Sequence, residues 1–206
     1  AGYGVGLAIF GYGDTGGRVS MTNLVTNVGV IGTDVSGVGT ARSNLAATGY
    51  GTDKAIFGYG YTATSPPAHL TAITNLVTNV GVVGTDVTGV GTARYGLAAA
   101  TYGSTGQALF GYGLTSGVAL LSITNLVSNS GVVSSDTSGV GTARSSPAAA
   151  RYGGDKAIFA YGWAGSSPSY VSTSNLVNNS GVVATDVTGV GTARGELAAT
   201  GYSTSA

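Results

Sequence analysis

Thr22-Asn23-Leu24-Val25-Thr26-Asn27-Val28-Gly29-Val30-Ile31-Gly32-Thr33-Asp34-Val35-Ser36-Gly37-Val38-Gly39-Thr40-Ala41-Arg42 returns, little changed, at Thr74 to Arg94, Thr124 to Arg144 and Ser174 to Arg194. From the first Asn to the closing Arg the spacing is 19 residues each time (Asn23 to Arg42, Asn75 to Arg94, Asn125 to Arg144, Asn175 to Arg194). A block that tolerates no insertion has a fixed three-dimensional partner for every position. Units of this length are single supersecondary elements that bury a core only by stacking on their neighbours. The 206 residues therefore read as one repeat domain, 1–206, with units over 1–42, 43–94, 95–144 and 145–194 and a terminal segment over 195–206.

Outward from this block, a second motif precedes it: Ala8-Ile9-Phe10-Gly11-Tyr12-Gly13, repeated at Ala55 to Gly60, Ala108 to Gly113 and Ala157 to Gly162. Ile, Phe and Tyr in a short run closed by Gly suit a buried strand. A third motif is built of small residues, Leu45-Ala46-Ala47-Thr48-Gly49-Tyr50-Gly51, then Leu97 to Gly103 and Pro147 to Gly153. A strand of Ala and Gly fits where other backbones approach closely. Gly51-Thr52-Asp53-Lys54 and Gly153-Gly154-Asp155-Lys156 join the two as hairpin turns. Within the block itself, Asn27-Val28-Gly29 and its equivalents read as another hairpin turn, opened by Asn and closed by Gly. The expectation is four short antiparallel strands per unit of about 50 residues, the pattern of a β-propeller blade. Helix is disfavoured throughout by Gly, Thr and Val.

The order Arg42, small-residue strand, tight turn, Asp53-Lys54-Ala55-Ile56-Phe57-Gly58-Tyr59-Gly60, loop and hairpin to the next Arg resembles a kelch repeat. It covers almost the whole chain four times. It departs from the family in having Gly-Tyr-Gly for the double Gly. It also has Val30-Ile31, Val82-Val83, Val132-Val133 and Val182-Val183 where the outer hairpin would carry Trp. The resemblance implies an all-β, kelch-like propeller. Near-identical Thr/Asn/Gly-rich repeats also resemble repeat proteins of phage virions and extracellular filaments, which implies an extracellular or virion-associated location.

The small-residue strand is present five times: Ala1-Gly2-Tyr3-Gly4 is a truncated copy, and Glu196 to Tyr202 a fuller one. Pairing of the terminal copies would remove open sheet edges. Two arrangements follow: closure of the chain on itself, or donation of the C-terminal strand to a neighbour, head to tail. The chain begins with Ala rather than Met, which points to a removed leader or a fragment of something longer.

Composition excludes several functions. Eight basic and eight acidic residues give zero net charge, with no basic patch for nucleic acid. Charged residues are 8% of the chain, against roughly 25% on average. There is no Cys, hence no disulfide or thiolate metal site. No apolar run is long enough for a transmembrane helix. Half of all the charges form the recurring pairs Asp34/Arg42, Asp86/Arg94, Asp136/Arg144 and Asp186/Arg194. A pair copied four times reads as structural, a salt bridge or a backbone-bonding Arg in each unit. The alternative is a ring of Asp oxygens for a cation such as Ca²⁺. His69 is the lone His and Glu196 the lone Glu. No zinc set or nucleophile triad can be assembled from them, and no catalytic residue, metal or cofactor is expected.

One segment varies. From the motif Phe to the block Asn the distances are 13, 18, 15 and 16 residues. These loops carry Asp14, Arg18, Tyr61, His69, Trp163 and Tyr170, and in a propeller all emerge on one face. Binding residues concentrate on loops held by a rigid scaffold. Exposed Trp and Tyr beside Ser would suit sugar rings or a flat protein surface. The sequence therefore supports a non-enzymatic structural or adhesive module that pairs with itself through its terminal strands. The alternative is a lectin-like or protein-binding propeller using the loop face.

Overall fold

The computed structural model describes residues 1–62, 69–165 and 169–202, and the last four residues of the expected terminal strand lie outside it. The described chain is all-β, with four three-stranded antiparallel sheets, each a meander of three consecutive strands. They are β1 (Gly2–Tyr3), β2 (Leu7–Asp14) and β3 (Arg18–Val25); β4 (Ala46–Tyr50), β5 (Lys54–Gly58) and β6 (Thr74–Val77); β7 (Ala98–Tyr102), β8 (Gln107–Leu114) and β9 (Leu120–Val127); β10 (Ala148–Tyr152), β11 (Lys156–Ala160) and β12 (Ser174–Val177). The first strand of each sheet is the small-residue strand, and these lie side by side, β4 against β7 and β7 against β10. Gly2, Thr48, Thr101 and Arg151, one from each first strand, line a common cavity of about 390 Å³. The arrangement is propeller-like, and the small side chains are what let four sheets converge there.

The core lies between sheets. Ile56, Leu109, Val77, Val127 and Val177 are fully buried. Three of the four motif Phe residues pack edge-on against the Tyr of the preceding sheet: Tyr12–Phe57, Tyr59–Phe110 and Tyr112–Phe159, all with centroids 5.1 Å apart. Those tyrosines take positive φ, between 63 and 65° including Tyr161, where Gly would ordinarily stand. The bulge this makes in β2 and β8 turns the ring toward the neighbouring sheet. Hydroxyl bonds from Tyr12 to Val38 O and from Tyr59 to Val90 O help hold the conformation.

Two expectations about the units are corrected. The fourth strand is not a strand. After β3 the chain touches it only at isolated bridges, Val25 with Ile31 and Thr22 with Val35, and the other units repeat this. The reason is the Asn side chain: Asn23 Nδ2 donates to Gly32 O and to Asp34 Oδ1, standing in for the missing rungs of the ladder. The turn before it starts one residue earlier than the sequence suggested. Gly29 N–H donates to Thr26 O, and Thr26 Oγ1 accepts from Val30 N–H. Thr78, Ser128 and Asn178 do the same work.

Of the two arrangements expected for the strand over 195–206, closure of the chain on itself is not seen among the described residues. Among the described residues Glu196 to Tyr202 form no ladder, β1 pairs only with β2, and Tyr202 is 87% exposed. Glu196 N–H donates to Ser146 O, just as Ser146 N–H donates to Gly96 O and Gly96 N–H to Asn44 O. The C-terminal copy thus enters the position that follows β10, as the first strand of a fifth unit. Its described residues do not return to the first sheet, and the four described sheets form an open arc.

Candidate functional site

The recurring polar residues converge on the seams between units. At the second seam, the Arg94 guanidinium lies 4.2 Å from the centre of the Tyr59 ring in its own unit. It reaches forward into the next unit, Nε donating to Tyr112 O at 2.8 Å and Nη2 to Asn125 Oδ1 at 2.7 Å. Asn125 Nδ2 donates in turn to Asp136 Oδ1 at 2.9 Å. Asp136 then accepts from the Thr92 N–H and from the Thr92 hydroxyl at 2.7 Å, back in the preceding unit. The loop of bonds Thr92–Asp136–Asn125–Arg94 crosses the seam twice. Thr40 with Asp86 and Thr142 with Asp186 repeat the Thr–Asp half at the other two seams, and at the first Arg42 crosses through Nε to Tyr59 O. Arg144 likewise donates to Asn175 Oδ1.

This corrects the expected pairing. Asp86 belongs with Arg42 and not Arg94, Asp136 with Arg94, and Asp186 with Arg144; a Thr mediates each relation, joined by an Asn for Arg94 and Arg144. The ion pairs among the described residues are Asp14–Arg18, Asp53–Lys54 and Asp155–Lys156. No described group of three His, Asp or Glu is placed to hold a metal ion. No described helix is long and apolar enough to cross a membrane.

Arg42, Arg94 and Arg144 are fully buried. Burying a charge is costly unless it is hydrogen-bonded and faces compensating groups. The aromatic ring on one side and oxygens on the other supply that compensation, in full for Arg94 and in part for Arg42 and Arg144, whose Nη2 and Nε respectively have no partner among the described residues. Burial pushes the Tyr59 and Tyr112 hydroxyls up to about 12, with Arg94 and Arg144 pulling the other way. For Asp86, Asp136 and Asp186, burial raises the carboxyl, but the Thr and Asn hydrogen bonds and the nearby Arg outweigh it. The net effect holds all three below the ordinary carboxylate value.

Two further contacts complete each seam. The motif Gly before the Tyr lies under the next unit's Phe; a Cβ on Gly58 or Gly111 would stand 2.7 or 2.8 Å from the Phe110 or Phe159 Cζ. The turn Gly of the next unit rests on a Tyr and a Leu of the preceding one: Gly81 on Tyr3 and Leu24, Gly131 on Tyr50 and Leu76, Gly181 on Tyr102 and Leu126.

The six loop residues singled out in the sequence do not form one pocket. Asp14 pairs with Arg18, whose guanidinium lies 5.0 Å from the Tyr61 ring centre. Tyr61 meets Tyr95 edge-on at 5.9 Å. Tyr95 shares a cavity of about 320 Å³ with Trp163, Tyr170, Ser145, Ser146 and Glu196. Trp163 and Tyr170 are bridged to each other across their loop. The result is a line of side chains across the loop face. His69 stands apart, in a shallow cavity lined mainly by Thr40, Thr62, Thr71 and Thr92. Its carbonyl accepts from the Thr62 N–H and hydroxyl. Parts of two loops, 63–68 and 166–168, lie outside the described residues. Sequence reasoning passed over Tyr95, which has no aromatic counterpart at Ser43, Ser145 or Gly195; that irregularity was the available signal.

No family model matches the chain, and no curated protein matches its sequence. Among solved structures it is similar to YjhT, with a TM-score of 0.67 at 10% identity over 94% of this chain and 66% of that one. At that identity the likeness is one of fold. The chain spans about two thirds of the length of YjhT. The third left uncovered is half as long as the part matched by four units, so it has the length of about two more.

Proposed function

We propose that the chain is a non-catalytic structural module of an extracellular or virion-associated assembly, a kelch-like propeller arc that joins to like units head to tail. The observation that carries this is the use of the recurring polar side chains. Arg42, Arg94 and Arg144, Asn125 and Asn175, and Asp86, Asp136 and Asp186 all bond across a seam to the neighbouring unit, and Asn75 steadies Asp86 from within its own. Carboxylates whose lone pairs are filled by Thr and Asn donors are poor candidates for acid–base work. The low charge and the Ser, Thr and Asn surface suit a packed assembly. A broad screen for hydrolytic activity tests the reading with wild type and Asp136→Asn. No turnover that depends on Asp136 is expected; such turnover would overturn it.

A second reading rests on the cavity of Trp163, Tyr170, Tyr95 and Glu196. Aromatic faces beside one carboxylate and two serines have the chemistry of a sugar or protein-loop site. Trp163→Ala on a glycan array separates the two readings: binding that is specific and lost in the variant favours the lectin-like one.

A further inference from the structure

The two ends of the arc carry the two halves of the seam that recurs three times inside it. On the last unit, Arg194 lies 4.2 Å from the Tyr161 ring centre, as its equivalents do on theirs. Among the described residues its guanidinium, however, donates only to Thr192 O, and it is exposed. Thr192 donates to no carboxylate among the described residues, whereas Thr40, Thr92 and Thr142 all do. Tyr152 and Leu176, the seat for a following turn Gly, are each 38% exposed, while Tyr3, Tyr50 and Tyr102 are each 4% exposed. On the first unit the matching half is equally bare. Phe10 is 60% exposed against 3% or less for Phe57, Phe110 and Phe159. Among the described residues Asp34 accepts from Asn23 alone, and a Cβ on Gly29 would meet nothing within 4 Å.

From these halves we infer that the open faces are a docking surface for a segment of two further units of this same repeat, which fills the arc into a closed ring. This rests on the structural reading above and narrows it: joining of like units stops at closure and does not run on as a filament. Three observations fix the occupant. The seam halves define its chemistry: a leading face with Phe, turn Gly, Asn and Asp, and a trailing face with Tyr, Arg and Thr. Glu196 to Tyr202 already lie where the first strand of the next unit belongs. The four units surround one central cavity, and the similar fold is longer by about two units. A whole second copy of four units would overfill that gap.

One feature of the last face differs. Ala160 stands where Gly11, Gly58 and Gly111 admit the next Phe, and its strand partner is Ser174 where the others are Thr. The Ser gives up a methyl as the Ala gains one, so the incoming Phe meets a slot narrowed by the Ala methyl alone. Ala160→Gly would widen it.

The test extends the whole chain with one to four copies of Tyr95–Arg144 placed after Arg194, and follows particle mass, melting temperature and hydrogen exchange in β2. The two-copy chain should be monomeric, melt higher than its neighbours in the series by roughly 10 °C, and protect the amides around Phe10. In that chain alone, Asp34→Ala should lower the melting temperature, and Ala160→Gly should raise it. Melting that climbs steadily with every copy, with Phe10 still unprotected, would overturn the inference. The unextended chain gives an arm that needs no new fold. Its mass should not grow with concentration; growth that Asp34→Ala abolishes would mean that whole copies dock on one another, and would also overturn it. Either failure leaves the non-catalytic reading standing, since that is judged by turnover.

Discussion

The inner seams and the outer faces of this arc are made of the same residues in opposite states. Arg94 is fully buried, stacked on Tyr59 and bonded to Tyr112 O, Asn125 and Thr92 O; Arg194 is stacked on Tyr161 and exposed. Phe110 is buried against Tyr59, and Phe10 faces solvent. Asp136 holds the preceding unit through Thr92, and Asp34 holds nothing outside its own unit. What separates them is the neighbour. A residue type in this chain has no fixed energetic weight; it acquires one when the next unit closes over it. Cohesion lies in the seams, as expected for repeat architectures whose stability sums unit and interface terms.

Substitutions at matched positions break or sharpen this contrast. The largest difference is expected at the Phe. Phe110→Ala should cost about 3–5 kcal/mol in urea denaturation, whereas Phe10→Ala should stay within about 0.5 kcal/mol. Arg94→Ala should follow at roughly 3 kcal/mol, since it strands Asn125 Oδ1 and Tyr112 O in a buried gap. Arg194→Ala should be close to neutral by the same measurement. Gly111→Ala drives a methyl into the Phe159 ring and should cost about 1–3 kcal/mol. At the equivalent Ala160, with no Phe above it, the reverse change to Gly should cost no more than about 1 kcal/mol, from added backbone freedom.

The smallest effect per residue is in the pH dependence. Asp86, Asp136 and Asp186 have lowered folded values, so the unfolded chain takes up protons first. Their contribution is fully present above the ordinary Asp value of about 3.9 and is lost as pH falls from there through the folded values. Denaturation below pH of about 4 should be blunted when the three are changed together to Asn, at the cost of lower stability at neutral pH. Tyr59 and Tyr112 act at the other extreme. Their folded values near 12 lie above the unfolded value of about 10, so their contribution is present below pH of about 10 and lost as pH rises through 12.

Much of the arc is legible in the sequence. The block with its fixed Asn-to-Arg spacing of 19, the Ile-Phe-Gly-Tyr strand and the Ala-rich strand became the meander of each sheet, because period, propensity and turn residues all agree there. The fourth strand was misread because alternation is visible in sequence, while the Asn23 side chain that interrupts the ladder is not. The Asp–Arg relation was legible as structural but assigned to the wrong partners. Asp34 and Arg42 are close in sequence, yet the fold pairs each Arg with the Asp of the following unit. The open ends could not be read at all, since Phe10 and Arg194 sit in the same motifs as their buried equivalents. The loop residues were found by their irregular spacing, but their line through Tyr95 depends on distances between units that no local pattern encodes.

The central claim is an open arc held by seams, and the four equivalent aspartates test it most directly. Asp34→Ala, Asp86→Ala, Asp136→Ala and Asp186→Ala would each be unfolded in urea at neutral pH. The account predicts similar losses of about 1.5–3 kcal/mol for the last three, the range for hydrogen bonds to a charged group, and almost none for Asp34→Ala. An equal loss at all four would mean that Asp34 also has a preceding unit to hold, and that the arc is closed.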